Sequence, residues 1–203
     1  ASPIRNDRGD VTGGVLVFHD VSESRELNRR LSYHASHDLL TGLVNRREFE
    51  RRLEEALEAA RSAAQRAVLC YLDLDRFKAV NDECGHTAGD GMLREVAALI
   101  RDAVRDSDTV GRLGGDEFGM LLVGCPLEKA RQIADDVVRA VADYRFVWKD
   151  KIFNIGVSIG LVELSRDSGS MEESLAAADS ACYVAKRHGG HVQVYSARDE
   201  VAA

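Results

Sequence analysis

Apolar residues recur at helical spacing in four separate stretches of the chain. In the first of them, Phe49, Leu53, Leu57 and Ala60 fall on one face, with Glu and Arg at the positions between them. The same spacing of three or four residues returns further along the chain. We therefore predict amphipathic helices around Phe49–Ala60, Met92–Ile100, Leu127–Val141 and Leu175–Arg187.

Other stretches have the patterns of β-strands. Ala67–Leu72 is a continuous apolar run, which is typical of a central strand buried on both faces. Apolar residues alternate with small or polar ones through Phe153–Leu161, which predicts one strand. Thr109–Leu113 and Phe118–Val123 flank two glycines, the pattern of a hairpin, and His191–Tyr195 is predicted as a last short strand. Together these elements predict an α/β (α+β) fold, a central mixed sheet flanked by helices.

The first part of the chain has a different organisation. A stretch rich in turn residues, Asn6–Gly14, precedes the short apolar run Val15–Phe18, which predicts a strand. About twenty residues cannot bury a core of their own, so we expect this segment to be the end of an upstream domain. Ser22 then begins a predicted helix of roughly four turns that ends near Asp38.

The composition argues against several broad classes of protein. Lys and Arg number 27 against 34 Asp and Glu, which gives a formal net charge of −7 and disfavours general binding to nucleic acid. No apolar run approaches the ~20 residues that a membrane span needs. The four cysteines have no C-x-x-C spacing and lie mostly in apolar runs. We therefore expect reduced thiols and a cytoplasmic domain, which a membrane segment elsewhere in a longer protein could anchor.

The first cluster of residues able to do chemistry follows the predicted central strand. Asp73 and Asp75 lie two residues apart and so share one face of an extended chain. Lys78 follows within one turn of a predicted helix start. Carboxylates beside an amine suit a magnesium–phosphate pair, because the acids hold the metal and the amine neutralises phosphate oxygens. The alternative is that an Asp merely caps the helix, as Asp commonly does.

The second cluster lies at the tip of the predicted hairpin. Gly114 and Gly115 permit the positive φ angles of a tight turn, and Asp116 and Glu117 follow them directly. Two adjacent acids repel one another unless a cation or solvent screens them. A plain surface hairpin remains the alternative, since many residues could follow two glycines. Two acidic clusters on neighbouring strands make a divalent-metal site plausible.

Several motifs in fixed order resemble the diguanylate cyclase (GGDEF) domain family. Residues 114–118 spell GGDEF, and the resemblance runs from about Asp38 to Tyr195. A single match of five residues would be weak, but five separate motifs in the right order are specific. The motifs are Asp38–Arg47, Asp73–Asp82, Gly85–Asp90, Gly114–Phe118 and Ala185–Lys186.

The resemblance implies a palm-like fold, as in nucleotide cyclases and polymerases, and a reaction that condenses two GTP into cyclic di-GMP with loss of pyrophosphate. It implies a Mg²⁺ ion, which Mn²⁺ can replace, and a two-fold homodimer because each domain would hold one GTP. By the same resemblance, the metal ligands are Asp73, the Leu74 carbonyl, Asp116 and Glu117. Asp116 would also receive the proton of the attacking 3′-hydroxyl.

The resemblance also assigns the residues that would bind the nucleotide. Asn81 and Asp90 match the guanine-binding residues, and His86 lies beside the nucleotide pocket. Lys78 and Lys186 match residues that meet the triphosphate. We therefore predict Asp116, Glu117 and Lys78 as the catalytic set. Asp38, Thr41, Asn45 and Arg46 match a motif that we interpret as structural, with turn hydrogen bonds and an ion pair that brace the site.

A regulatory site is predicted just before the pentad. Arg105 and Asp108 form an R-x-x-D pattern that resembles the product-inhibition site of the family. There, Arg105 would pair with guanine or phosphate of cyclic di-GMP and Asp108 with a guanine edge. The alternative is an ordinary solvated salt bridge at the end of a helix.

The chain departs from the family at one position and resembles further families at its ends. Gly190 stands where the family carries a phosphate-binding Arg. We predict a PAS-like remnant at residues 1–22, a helical linker at 23–37, the GGDEF domain at 38–197 and a tail at 198–203, with a downstream EAL phosphodiesterase in a longer protein. Two rival functions stay open: a GTP-binding module that activates this phosphodiesterase, and a cyclic di-GMP receptor that acts through Arg105 and Asp108.

Overall fold

The computed structural model of the chain describes residues 2–15, 32–63, 65–189 and 191–195. The chain divides into two compact units, Ala1–Ala35 and Ser36–Ala203. In the first unit, β1 (Ser2–Arg5) pairs antiparallel with β2 (Val11–Val15). The predicted turn stretch is therefore too long, because its last residues already belong to β2. Residues 32–36 are helical, and His37 already forms an isolated bridge with Val44, so the helix ends before Asp38. Residues 22–31 of the predicted linker helix lie outside the described residues.

A six-stranded mixed sheet forms the centre of the second unit. Its strands are β3 (Val44–Asn45), β4 (Ala67–Asp75), β5 (Thr109–Gly114), β6 (Glu117–Val123), β9 (Gly156–Leu164) and β10 (Val192–Val194). They lie in the order β10-β9-β4-β6-β5-β3. The strand β4 lies inside the sheet and pairs antiparallel with both β6 and β9. The edge strands β3 and β10 run parallel to their neighbours.

Helices cover both faces of this sheet, which confirms the predicted fold class. Alternate residues of β4 enter two separate cores: Val68, Cys70 and Leu72 pack on one side, and Ala67 and Leu69 on the other. No described helix is both long and apolar enough to cross a bilayer. The helices of this unit are α1 (Arg46–Ala63), α2 (Phe77–Cys84), α3 (His86–Asp102), α4 (Leu127–Asp143) and α5 (Met171–Arg187).

The prediction of one strand through Phe153–Leu161 is wrong. The chain enters the main sheet only after Ile155, which lies between β8 (Lys151–Asn154) and β9. Strand β8 pairs instead with β7 (Arg145–Trp148) in a separate hairpin, where the Phe146 and Phe153 rings lie 6.4 Å apart. Both strands alternate with a period of two, so the hydrophobic pattern alone could not show the break.

Helix α5 lies unusually close to β9. A Cβ added to Gly160 would stand 2.1 Å from the carbonyl oxygen of Ala178 and 2.3 Å from the backbone nitrogen of Cys182. Such distances are far below ordinary contact, so only glycine allows this approach. A capping box between Ser170 and Glu173 fixes the start of the helix. Together, these contacts set the position of the last turn of α5, which carries Lys186.

Candidate functional site

The two predicted acidic clusters lie side by side at one edge of the sheet. Asp73 of β4 is the register partner of Glu117 of β6. The backbone N–H of Leu74 donates to the carbonyl oxygen of Asp116 at 3.3 Å. Gly115 occupies the turn between β5 and β6 with φ +39°, in the left-handed region that glycine tolerates. The hairpin turn therefore delivers its two acids to the end of β4, as the sequence predicts.

Lys186 interacts electrostatically with Asp73 and Asp116. The amine of Lys186 donates a hydrogen bond to Oδ1 of Asp73 at 2.5 Å. Burial raises the pKa of Asp116, and the nearby Asp73 carboxylate adds to this effect, while Lys186 and Arg112 oppose it. Burial and the charge of Asp73 likewise raise the pKa of Asp179 on α5. The acids thus repel one another, and this makes the site receptive to a cation.

The donor chemistry fits Mg²⁺. Among the described residues, no three Asp, Glu, His or Cys side chains converge to enclose an ion. Mg²⁺ does not need such a cage, because it keeps several waters and commonly takes one or two carboxylates together with substrate phosphates. Asp73 and Asp116 are two carboxylates close enough to act on one another. Burial raises the pKa of Tyr71, and the nearby Glu117 carboxylate adds to this effect.

The side chain of Asn81 on α2 packs against Gly89 of α3. Its Oδ1 atom is buried and has no hydrogen-bond partner among the described residues. A Cβ on Gly89 of α3 would stand 2.1 Å from this oxygen and 3.1 Å from Cζ of Phe77. Gly89 therefore leaves room for the amide. Asp90 follows it directly and is half-buried.

Lys78 and His86 lie at the starts of neighbouring helices. Lys78 is the second residue of α2, and His86 is the first of α3. Both side chains are exposed. The structure thus places these two residues on the helices that carry Asn81 and Asp90, where a bound molecule could reach them.

A bracing network holds the hairpin turn. Nη1 of Arg112 lies 3.3 Å from Oδ1 of Asp38, while Nε and Nη2 donate to the carbonyl oxygen of Gly115 at 3.0 and 2.8 Å. The backbone and hydroxyl of Thr41 both donate to Asp38. One guanidinium therefore joins the turn at Asp38 to the turn that carries Asp116.

Asn45, Arg46 and Asp75 make structural contacts. Oδ1 of Asn45 accepts from the backbone of Glu48, and Arg46 pairs with Glu50 within α1. Oδ1 of Asp75 accepts from the buried hydroxyl of Ser158 at 2.9 Å, which links β4 to β9. Asp75 therefore has a partner on the neighbouring strand, whereas Asp73 faces Lys186.

The arrangement agrees with comparisons to known proteins. Residues 35–191 match the family described as diguanylate cyclase, GGDEF domain. The chain belongs to the GGDEF domain family. A probable diguanylate cyclase of Escherichia coli K12, DgcE, is 46% identical over 202 residues, covering 99% of this chain. The cyclic di-GMP phosphodiesterase PdeB of Shewanella oneidensis is 34% identical over 200 residues, covering 98% of this chain. This GGDEF chain spans only 18% and 23% of the lengths of those two proteins.

A solved structure supports the fold of the GGDEF domain. The coiled coil and GGDEF domain of DgcB from Caulobacter crescentus, in complex with c-di-GMP, superposes with a TM-score of 0.81 at 28% identity. The match covers 86% of this chain and 93% of that one. The predicted palm-like cyclase fold is therefore confirmed.

The predicted regulatory pair lies at the other end of β5 from the GGDEF turn. The backbone N–H of Arg105 donates to Oδ2 of Asp108 at 3.2 Å, and the N–H of Asp108 donates to the carbonyl oxygen of Arg105. Asp108 is buried and Arg105 is exposed. No ion pair joins their side chains in this described loop, so the solvated salt bridge considered above does not form there. β5 separates this loop from Gly114 by about 17 Å of extended chain.

Arg187 and Gly190 follow the Ala185–Lys186 motif in the sequence. Gly190 lies outside the described residues, whereas the guanidinium of Arg187 lies 6.0 Å from the Tyr183 ring centroid.

Sequence reasoning missed Asp179 and the role of Gly89. Gly89 belongs to the matched motif Gly85–Asp90, which was a usable indication. Nothing in the local sequence distinguishes Asp179 from other helix-surface acids.

Proposed function

We propose that this domain is a diguanylate cyclase, which condenses two GTP into cyclic di-GMP with release of pyrophosphate. The observation that carries the proposal is the junction of Asp73 with the Asp116–Glu117 turn, beside the amine of Lys186. Such a junction joins carboxylates for a cation to an amine for phosphate oxygens. The diguanylate cyclase name of DgcE supports the same reaction.

The acids would hold the metal and receive the proton. Asp73, Asp116 and the Leu74 carbonyl would bind Mg²⁺, or Mn²⁺ in its place, with Glu117 completing the set. When bound, the ion would lower the pKa of the ribose 3′-hydroxyl and screen the triphosphate. The Asp116 carboxylate would accept the proton of this hydroxyl as it attacks.

The remaining site residues would bind and orient GTP. The unpartnered Asn81 amide and the Asp90 carboxylate offer the hydrogen-bonding types that a guanine edge requires. Lys78 and Lys186 would meet the triphosphate, and His86 would border the nucleotide. Each domain would hold one GTP, so two domains must face each other in a two-fold homodimer for the two nucleotides to react.

Product would regulate the domain through a separate site. Cyclic di-GMP would bind Arg105, whose side chain is free to reach it, with Asp108 accepting from a guanine edge. About 17 Å of β5 separates this loop from the GGDEF turn. Binding there would couple to catalysis by favouring an unproductive arrangement of the two domains.

A second candidate function comes from the name of one relative. PdeB is named a cyclic di-GMP phosphodiesterase, and it aligns with 98% of this chain. A GGDEF domain in such a protein could bind GTP and activate an adjacent EAL phosphodiesterase without forming product. The replacement of the family's phosphate-binding Arg by Gly190 favours this alternative, because one triphosphate contact is absent.

One experiment separates the candidates. The protein is incubated at high concentration with GTP and Mg²⁺, and cyclic di-GMP is followed by chromatography. Product from the parent and none from Asp116→Ala would support the cyclase, with Asp136→Ala on the exposed face of α4 as the matched control. GTP binding without turnover, even in a longer chain that carries the upstream domain, would favour the regulatory module. Product binding that survives Asp116→Ala, without turnover in the parent, would favour the receptor.

A further inference from the structure

Lys186 forms an ion pair with Asp73, the carboxylate that would bind the metal. Its amine lies 2.5 Å from Oδ1 of Asp73, and the two side chains keep exposed fractions of 41% and 27%. The charges of Asp75 and Asp116 also act on this amine. In the described part of the site, Lys186 is thus the cation paired with Asp73.

This contact and a metal ion compete for Asp73. Mg²⁺ binds carboxylate oxygens at about 2.0–2.1 Å, so an ion on Asp73 would stand within a few ångströms of the amine. Two cations at that separation repel each other strongly, because a partly buried site screens them less than water does. The amine must therefore leave Asp73 before the ion can bind at full strength.

We propose that Lys186 is a placeholder cation, which neutralises Asp73 in the empty domain and moves to the triphosphate when GTP binds. This inference rests on the proposed metal role of Asp73. The movement opens Asp73 to the ion at the moment when phosphate oxygens arrive to complete its coordination. Lys186 therefore suppresses metal binding without nucleotide and makes the binding of metal and GTP cooperative.

Lys78 provides a matched comparison. It is the other lysine assigned to the triphosphate, and it is exposed. Its amine has no hydrogen bond or ion pair with any residue that the structure describes. Replacement of either lysine removes one positive charge from the nucleotide site, but only replacement of Lys186 frees Asp73.

The test measures Mn²⁺ binding to the whole chain by electron paramagnetic resonance of the free ion, without nucleotide. Lys186→Gln is expected to bind Mn²⁺ about three- to tenfold more tightly than the parent, the range of a half-exposed charge-assisted hydrogen bond. The same variant is expected to bind a non-hydrolysable GTP analogue more weakly. Mn²⁺ should then strengthen analogue binding by a smaller factor in Lys186→Gln than in the parent. Lys78→Gln is expected to weaken analogue binding and to leave nucleotide-free Mn²⁺ affinity within about twofold of the parent.

A second measurement uses the unaltered protein. In ¹⁵N spectra of lysine side chains, the Lys186 amine, assigned by its absence in Lys186→Gln, should show slow hydrogen exchange and should shift when the GTP analogue is added. Equal or weaker Mn²⁺ binding by Lys186→Gln would overturn the placeholder, as would equal tightening by Lys78→Gln. With the GTP analogue bound, Asp73→Asn should bind Mn²⁺ more weakly than the parent does. Equal Mn²⁺ affinity of the two complexes would refute the metal role of Asp73, and the placeholder proposal with it.

Discussion

The guanidinium of Arg112 contacts two turns at once: Nη1 lies 3.3 Å from both carboxylate oxygens of Asp38, and Nη2 donates to the Gly115 carbonyl at 2.8 Å. A planar fork makes these contacts together, and a lysine amine cannot. The pair is largely buried, with exposed fractions of 16% and 24%. The geometry of the GGDEF turn therefore depends on a residue outside the pentad.

We expect Arg112→Lys to lower the free energy of unfolding by about 1–2 kcal/mol and to slow product formation at least about tenfold. Urea unfolding and chromatography of cyclic di-GMP measure the two effects. Asp38→Asn should act through the same contact, so the double variant should lose less than the sum of the single losses. Arg139→Lys alters an exposed pair with Asp136 and should cost less than about 0.5 kcal/mol. Strict additivity of Arg112→Lys and Asp38→Asn would contradict the prediction.

A second prediction concerns stability at acid pH. Hydrogen bonds from Arg51, and then from Arg52, lower the pKa of Glu48 from 4.5 to about 2. Because the unfolded chain binds the proton more tightly, the contribution of Glu48 to stability is complete above pH 4.5 and is lost as the pH falls towards 2. The stability difference between the parent and Glu48→Gln should therefore shrink across this interval.

Denaturant unfolding at successive pH values measures that difference, since the other titrating groups are common to both proteins. Glu55→Gln is the matched control, because it removes the same charge from an exposed partner of Arg51. It should cost less than Glu48→Gln at neutral pH. A difference for Glu48→Gln that stays constant from pH 5 to pH 2 would refute the pairing.

A third prediction tests the space beside Asn81. The added Cβ of Gly89→Ala would collide with Oδ1 of Asn81 at 2.1 Å. The amide is the end of a side chain and can rotate away, so the fold should survive while the guanine contact is lost. We expect GTP affinity to fall about tenfold or more, the effect of one charge-assisted or buried hydrogen bond. Calorimetry measures this affinity.

Gly91→Ala, two residues further along α3, is the control for Gly89→Ala. Its Cβ would meet Cζ3 of Trp148 at 3.3 Å and would not touch Asn81. GTP affinity should stay near that of the parent. Equal losses in both variants would mean that the helix, and not the amide, determines affinity.

Arg76 leads to a fourth prediction. It joins β4 to α2 with φ 62°, in the left-handed region that a side chain disfavours. Asn tolerates this conformation better than other residues with a Cβ, so Arg76→Asn should raise the free energy of unfolding by about 0.5–1 kcal/mol. Arg76→Val should lower it by about 1 kcal/mol or more, because β-branched residues are strongly disfavoured there. Equal stability of the two variants in urea would contradict the strained geometry.

The sequence predicted that the two acidic clusters would lie on neighbouring strands, because local motifs indicate both strands. It missed the contacts that join distant parts of the chain. The junction of Asp73 with Asp116 followed from a strand and a hairpin, both of which have local patterns. The bond between Asp73 and Lys186 joins residues 113 positions apart, and no periodicity reports such a distance. The break at Ile155 was missed because both flanking strands share one alternation. The space that Gly89 leaves for Asn81 depends on how two helices pack.

The close approach of β9 to α5 at Gly160 affects how Lys186 can reach Asp73. Backbone atoms limit this approach, so α5 cannot move closer to β9 at this point. The reach of the amine then depends on the carbon chain that carries it. A lysine analogue shorter by one methylene would leave the protein backbone unchanged and would lose the direct contact with Asp73. The hydrogen bond between residues 73 and 186 therefore depends on side-chain length to within one carbon.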